Sequence, residues 1–536
     1  DNNDLAAGSC CGSGRSAIRL LVWLKMEQAD LFCRRRISFD FRHAHGGDAI
    51  CIADRQHHNK KEEENNMGAG HKVERALVGT AIDGVLRYVN KDPEDRQEAL
   101  LKLVDTVQKI AGNMFQEKSY DAARAMLQDK DCKWVQYVNR LLDEVDPHVL
   151  KMTALNLGFE AAYFGTKTIR EKRKELQCQV PWLILMDPTS ACNMHCTGCW
   201  AAEYGHKLNL SYEDLDSIIT QGKKLGIYFY MYTGGEPLVR KKDLIRLCEK
   251  HNDCAFHAFT NGTLIDEEMC KEMVRVGNLS VSISLEGYEE VNDSRRGAGC
   301  FDKVMHAMDL MKQYGLIFGT SICYTSKNIE TVTSDEFLDM IIDKGCRYTW
   351  YFHYMPVGNE AAVELLPTKE QREYMYHRVR EIRGKEGGKQ IFAMDFQNDG
   401  EFVGGCIAGG RNYMHINANG DVEPCVFIHY SGANIHEVSL LDALRQPLFM
   451  AYRDGQPFND NQLRPCPMLE NPELLREMVH KTGAKSTDLQ SPESVDHLCD
   501  KCENYAENWA GKAKEIWDEN PHHAESFHNY KSTYQD

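Results

Sequence analysis

Three cysteines stand four and three residues apart in Cys192-Asn-Met-His-Cys196-Thr-Gly-Cys199, directly after the apolar run Pro181–Met186. A thiolate is a soft ligand, and a tight group of thiolates selects zinc, copper(I) or an iron–sulfur cluster. Structural zinc closes its shell with four ligands, and a four-iron cluster also usually takes four cysteines. Here the group stops at three, and no further cysteine follows until Cys248. His195 sits between two of the cysteines and would strain so short a loop as a fourth ligand. Three thiolates on a four-iron cluster leave one iron open to a substrate or cofactor. Three incidental buried cysteines would be a poor account of this spacing.

A second group lies in the tail: Cys406, Cys425, Cys466 in Arg-Pro-Cys-Pro, and Cys499-Asp-Lys-Cys502. A Cys-x2-Cys pair with two or more distant cysteines has metal-site spacing. Zinc is the alternative to iron–sulfur on ligand chemistry alone. Cys248, Cys254, Cys270, Cys300, Cys323 and Cys346 lack such spacing and fit small buried apolar positions.

The elements that must position the first group follow in regular order. Short apolar runs at Leu183–Met186, Ile227–Tyr232, Ala255–Phe259, Leu279–Leu285, Ile317–Tyr324 and Tyr348–Tyr354 predict strands. Between them, Tyr212–Lys224, Lys242–His251, Glu267–Val276, Phe301–Tyr314 and Asp335–Lys344 predict helices. Strands alternating with helices imply a parallel α/β sheet of βαβ crossovers, whose active sites lie at the carboxyl ends of the strands. The chemistry-bearing loops all fall there. The cysteine loop follows the first strand and Thr233-Gly234-Gly235-Glu236-Pro237 the second. Glycines allow close backbone approach, and Glu236 can accept hydrogen bonds from an ammonium group. Thr260-Asn261-Gly262 follows the third strand, Ser284-Leu-Glu286-Gly287 closes the fourth, and Pro356-Val-Gly358 comes after the sixth.

CxxxCxxC with GGEP one unit later resembles the signature of the radical S-adenosylmethionine (SAM) superfamily. The resemblance runs from about Trp182 to Cys502. It implies a partial TIM-type (β/α)6 barrel, preceded here by a helical region and followed by a small Cys-rich α+β extension. It implies a [4Fe–4S] cluster on Cys192, Cys196 and Cys199 whose open iron chelates SAM, and a 5′-deoxyadenosyl radical that abstracts hydrogen from a substrate. Gly234, Gly235 and Glu236 are then expected at the SAM amino group, and Ser284 and Glu286 at its ribose or carboxylate. Arg296 is the choice for the carboxylate, because guanidinium binds it in bidentate fashion. The family's aromatic before the third cysteine is replaced by Gly198, and Trp200 is expected to take over its contact with adenine. No catalytic acid or base distinct from the cofactor stands out. Cys406 followed by Gly420-x4-Cys425 resembles the start of the SPASM/Twitch extension. Five tail cysteines then imply one auxiliary [4Fe–4S] cluster with a thiol to spare. The expected ligands are Cys406, Cys425, Cys499 and Cys502, with Cys466 competing for one place.

The domain reading is 1–66 a disordered or non-native upstream extension, 67–180 a helical lead-in, 181–358 the radical SAM core, and 359–536 a connector with the auxiliary-cluster domain. The head carries Cys10, Cys11, Cys33 and Cys51 and the run Arg34-Arg35-Arg36, without periodicity. Met67 is the expected natural start. In the lead-in, helices are expected from Lys72, from Asp92-Pro93-Glu94-Asp95, over Tyr120–Leu127 and Trp134–Val145, and as one long element over Pro147–Leu176. The last is apolar to Phe164 and basic from Lys167 to Lys174. Such a stripe usually faces a core; the sharper reading has it meet a membrane or lipidic substrate.

The net charge of −17 and the lack of a basic run with aromatics argue against nucleic acid as main partner. Twenty cysteines in so long a chain fit reduced thiols in a cytoplasm, and an open cluster suits an anaerobe. The resemblance therefore implies a radical SAM enzyme modifying a peptide or protein side chain, served by a flavodoxin- or ferredoxin-like electron donor. The alternative is a lipid or other small apolar substrate. A different class, a non-catalytic iron–sulfur electron carrier or redox sensor, would leave the GGEP, SISLEG and RRG segments without a role.

Overall fold

The computed structural model describes residues 70–91, 96–111, 117–201, 204–384 and 388–520. The head with its four cysteines and the expected helix start at Asp92–Asp95 lie outside the described residues. Packing divides the chain between a unit ending at Tyr120 and a larger unit from Asp121 onward. The first contains a helix over 70–89 and the helix Arg96–Ala111, where the apolar spacing predicts them.

The larger unit opens with the helix Lys133–Glu144 and a helical run from Pro147 to Leu176. The carboxylate of Asp146 caps that run, accepting the N–H groups of His148 and Val149. Its middle, Ala154–Gly165, is wound as a π-helix, which residue periodicity alone does not signal. Leu155, Asn156, Glu160, Ala161, Ala162 and Gly165 are all buried there. The Asn156 amide donates to the carbonyls of Asn252 (3.0 Å) and Cys254 (2.9 Å), and the Trp182 indole donates to Ala161 O. The buried part of the stripe packs against the sheet's own connections, while Tyr163 stays exposed.

Six parallel strands then alternate with helices: β1 Leu183–Met186, β2 Phe229–Tyr232, β3 Ala255–Thr260, β4 Leu279–Ser284, β5 Phe318–Tyr324 and β6 Tyr348–His353. The intervening helices include Tyr212–Lys224, Lys241–Lys250, Glu267–Val276, Cys300–Gln313 and Asp335–Asp343. No end departs from its expected position by more than two residues.

The sheet is longer than the six-strand reading. β7 Phe392–Asp395 pairs in parallel with β6. At the opposite edge β8 Tyr413–Ile416 pairs in parallel with β1, and β9 Val422–Glu423 runs antiparallel to β8 through the turn at Asn419-Gly420. The spatial order is β7-β6-β5-β4-β3-β2-β1-β8-β9. The connector that follows β6 holds one 3-10 turn at Val363–Leu365 and the helix Lys369–Arg383, the latter started by a Thr368/Gln371 capping box.

Side chains alternate across the sheet. Tyr230, Tyr232 and Phe256 stack on the outer face, where the Tyr230 hydroxyl donates to Ile219 O of the helix Tyr212–Lys224. His257, Phe259, Trp350 and Phe352 therefore share the inner face, away from the helices.

Candidate metal centre

The cysteine loop is clamped by the segments that follow β2 and β3. Gly235 N–H donates to Thr189 O (3.0 Å) and Glu236 N–H to Ala191 O (2.9 Å). A Cβ on Gly235 would lie 2.3 Å from Ala191 O, and one on Gly234, at φ +106, 2.5 Å from Thr189 O. The two glycines thus admit the backbone of the cysteine loop itself. Glu236 is buried; one carboxylate oxygen accepts from Thr260 Oγ1 (2.7 Å) and Leu238 N, the other from Asn261 N (2.7 Å). Burial raises the pKa of this carboxyl, opposed by those hydrogen bonds. The Asn261 amide donates to Asn193 Oδ1 (2.8 Å), and Asn193 donates back to Thr263 Oγ1 (2.8 Å). Asn193, inside the cysteine motif, is a clasp that spacing arguments passed over.

Cys192 and Cys196 are half-buried and Cys199 is exposed. Burial pushes the Cys192 thiol up to about 11, helped by Glu236, Cys199 and Cys196. The three sulfurs are thus electrostatic neighbours. Arg295 and Arg296 end the helix Glu289–Arg296 beside them. Arg295 Nε donates to Thr197 O (3.1 Å) and Thr197 N–H returns a bond to Arg295 O (3.0 Å). Arg296 Nε donates to Glu286 Oε1 (3.1 Å), and its Nη1 approaches Cys196 Sγ at 4.0 Å. Arg295 also pairs with Glu286 Oε1 (2.8 Å). Burial disfavours the charge on both guanidiniums, yet Glu286 and the nearby thiols hold it, so both pKa values rise. Arg296, expected to face a free carboxylate, shares Glu286 with Arg295, while Glu286 Oε2 is buried without a partner. Ser284 is half-buried at the end of β4 opposite Ser321 of β5. Gly358 N–H donates to Glu493 (3.0 Å), and its carbonyl accepts from Lys501 (2.7 Å).

Trp200 points toward the tail. Its indole meets Tyr204, His415, Phe427 and His429 edge-on at 5.9–6.3 Å. Beneath it His415 bridges Asp187 (2.9 Å) and Glu423 (2.6 Å), Tyr204 donates to Glu423 (2.8 Å), and His429 pairs with Asp488 (2.7 Å), all buried. This network ties the end of β1, the β8–β9 hairpin and the tail together. None of its members was singled out in the sequence, because nothing in local spacing joins Asp187 to His415. The ring that stands against Gly198 is Tyr354, from the end of β6.

In the tail, Cys425, Cys499 and Cys502 are buried and Cys406 and Cys466 half-buried. Burial lifts Cys406 to about 11 and Cys425, Cys499 and Cys502 to about 12. Cys466 feels Cys406 and Cys425, and Cys502 feels Cys499. The Cys466 sulfur accepts the N–H groups of Met468 and Leu469 at 3.4 Å, and Tyr413 Oη donates to Cys425 Sγ at 3.0 Å. Arg372, fully buried, pairs with Glu470, whose other oxygen accepts Cys466 N–H (2.6 Å). Tyr452 feels Cys406, Cys425, Cys466 and Cys499, and its buried hydroxyl has no hydrogen-bond partner.

Residues 186–341 match the family model of the Radical SAM superfamily, and residues 406–468 that of the iron–sulfur cluster-binding domain SPASM. The chain carries a radical SAM domain followed by a SPASM domain. The Fe-coproporphyrin III synthase of Methanosarcina barkeri is 27% identical over 41% of this chain, which covers 57% of that protein's length. The PqqA peptide cyclase of Granulibacter bethesdensis is 26% identical over 53% of this chain and 79% of its own. Among solved structures, Streptococcus suis SuiB bound to S-adenosylmethionine is 16% identical over 79% of this chain and 93% of its own, with a TM-score of 0.49.

A radical SAM domain implies a [4Fe–4S] cluster with SAM, and a SPASM domain implies auxiliary iron–sulfur. The donor set fits both. At the first site an unpartnered Glu286 oxygen and two guanidiniums lie near the thiols; at the second, a buried, unpartnered Tyr452 hydroxyl lies within electrostatic range of Cys406, Cys425, Cys466 and Cys499. Among the described residues no three His, Cys, Asp or Glu side chains gather tightly enough to hold a single metal ion. No helix among the described residues is long and apolar enough to cross a membrane.

Proposed function

We propose that this chain is a radical SAM enzyme with one auxiliary cluster, acting on a side chain of a peptide or protein. The observation that carries the reading is the clamp on the cysteine loop. Glu236, Thr260, Asn261 and Asn193 join three strand-end loops into one wall beside Cys192, Cys196 and Cys199. An electron carrier would have no use for such a wall. In this reading residues 181–358 form the radical SAM core and 359–536 the connector and auxiliary-cluster domain.

Cys192, Cys196 and Cys199 hold the open cluster, and Cys406, Cys425, Cys499 and Cys502 the auxiliary one, with Cys466 competing for a place. Cluster and SAM, when bound, supply hydrogen-abstracting radical chemistry after one-electron reduction. The chain's residues bind and orient. Gly234–Glu236 set the loop height, Arg295 and Arg296 offset the negative charge of cluster and carboxylate, and Ser284 and Glu286 offer hydrogen-bonding oxygens. Burial raises the thiols of Cys192, Cys199, Cys406, Cys425, Cys499 and Cys502, so loading metal displaces protons from them. The described cysteines form no disulfides, which suits the reducing cytoplasm in which a flavodoxin- or ferredoxin-like donor would serve this site.

The relative named PqqA peptide cyclase supports the peptide class. A second reading, a tetrapyrrole substrate, rests on the relative named Fe-coproporphyrin III synthase. The test is anaerobic reconstitution with iron and sulfide, then dithionite and SAM, with 5′-deoxyadenosine read by mass spectrometry. Formation that rises with added peptide and not with coproporphyrin supports the peptide class. Intact clusters without 5′-deoxyadenosine would sink the enzyme reading.

A further inference from the structure

The inner face of the barrel carries a continuous run of aromatic rings that ends beside the third cysteine. Trp350 meets Phe352 at 5.8 Å between ring centres, Phe352 meets Phe396 at 5.4 Å, Phe396 meets Phe427 at 6.4 Å, and Phe427 meets Trp200 at 6.3 Å. Phe259 joins from β3, touching both Trp350 (5.3 Å) and Phe352 (5.7 Å). Phe259, Trp350, Phe352, Phe396 and Trp200 are only partly buried, although each sits within a packed sheet or loop. They keep ring surface open on the side away from the helices.

Two further features define the space in front of these rings. The strands between β3 and β6 present small side chains on this face. Ser282 stands opposite Gly319, and Ser284 opposite Ser321, which is in turn opposite Trp350. The charged groups at its rim are engaged with one another: His415 with Asp187 and Glu423, and Glu286 with Arg295 and Arg296. His257, lower on the same face, is held between Ser280 and Ser282, and burial depresses its pKa to about 3, so it is neutral.

We propose that Phe259, Trp350, Phe352 and Phe396 are specificity-determining residues that receive an uncharged aromatic or aliphatic side chain of the substrate. The inference rests on the peptide reading above and narrows it. A negatively charged side chain would lose its hydration against the negative faces of these rings. An apolar one covers ring surface that otherwise faces water. Through the buried Phe427 the run of rings continues to Trp200, next in sequence to Cys199.

The test uses the full chain with both clusters reconstituted. Neutral benzophenone, a photolabel, is irradiated with the protein, and labelled residues are mapped by mass spectrometry. Labels concentrated on Phe259, Trp350, Phe352 and Phe396 are expected, with at least fivefold less label from the anionic 4-benzoylbenzoate. Phe352→Ser and Phe396→Ser, checked for iron content and circular dichroism, are expected to lower benzophenone labelling at least fivefold. The mapping on the native chain stands even if a variant fails to fold. Labels confined to other surfaces, equal labelling by the anionic probe, or undiminished labelling in folded variants would overturn the proposal. Failure of the native enzyme to form 5′-deoxyadenosine would instead strike the enzyme reading and leave the labelling result to be judged by itself.

Discussion

Gly198 stands directly against the ring of Tyr354: a Cβ at Gly198 would lie 2.9 Å from Tyr354 Cε2 and 3.1 Å from its hydroxyl. Gly198 also adopts φ +66, a conformation that favours glycine. An aromatic ring does flank the cysteine motif here, but it is delivered by the end of β6. Gly198→Ala is expected to destabilise the protein by about 1–3 kcal/mol, the usual cost of forcing atoms into a packed site. Adding Tyr354→Ala should recover part of the steric loss and leave the backbone strain. Denaturant melts of the two single variants and the double variant measure that coupling. Strict additivity would refute the contact.

Gly235→Ala meets a harder obstacle. Its Cβ would lie 2.3 Å from Ala191 O and 2.5 Å from Ser190 O, both backbone atoms that cannot rotate away. The cysteine loop must lift for the methyl to fit. The expected outcome is loss of the iron bound at Cys192, Cys196 and Cys199, with the tail cluster retained. Iron analysis with Mössbauer spectra separates the two. Full iron content in this variant would show that the clamp does not set the loop.

His415 carries a pH signature. Burial works against its charge, but Asp187 and Glu423 on either side prevail and raise its pKa to about 10. Tyr204 and the His429–Asp488 pair border the same group. A folded value above the unfolded one, about 6.5, adds stability that is complete below pH ~6.5. That stability is lost as pH rises through about 10. Tm should therefore fall between pH 7 and 10, and His415→Gln should flatten that fall. Parallel slopes for the two proteins would rule out this assignment.

Tyr452 offers a test that separates empty from loaded protein. Its hydroxyl is buried and unpartnered, within electrostatic range of Cys406, Cys425, Cys466 and Cys499. Removing an unpaired buried polar atom costs little and can stabilise, by up to ~1–3 kcal/mol. Tyr452→Phe should thus leave the metal-free Tm unchanged or higher. If the hydroxyl serves a cluster sulfur, the same variant should lower the auxiliary cluster's reduction potential in the loaded protein. An unchanged potential would place the hydroxyl outside the cluster's reach.

Much of the architecture was legible because strand and helix periods differ and each unit repeats the change. Leu183–Met186 and Tyr212–Lys224 fall where their apolar spacing puts them. The site was partly legible for a related reason: parallel strands deliver their loops to one end, so Cys192, Glu236 and Asn261 had to meet. What could not be read depends on distance through space. The Asp187–His415 pair spans 228 residues, and the Arg372–Glu470 pair is likewise non-local. Glu236, expected at the SAM amino group, also accepts the chain's own N–H and O–H groups on both of its oxygens. Trp200, expected over adenine, turns toward the tail because His415, His429 and Phe427 build a receptacle for its ring. The π-helical stretch Ala154–Gly165 left no mark on residue periodicity.

The pairing of β8 with β1 makes the first strand an interior one, flanked by β2 on one side and by a strand some two hundred residues later on the other. The cysteine loop grows from that strand. A chain cut before Tyr413 would leave β1 as an open edge, with its unpaired N–H and C=O groups bared along the strand that roots the thiols. The tail is thus a stave of the barrel as well as a holder of cysteines. Separating the two matched regions into independent modules would cost the first its wall before it cost the second its metal.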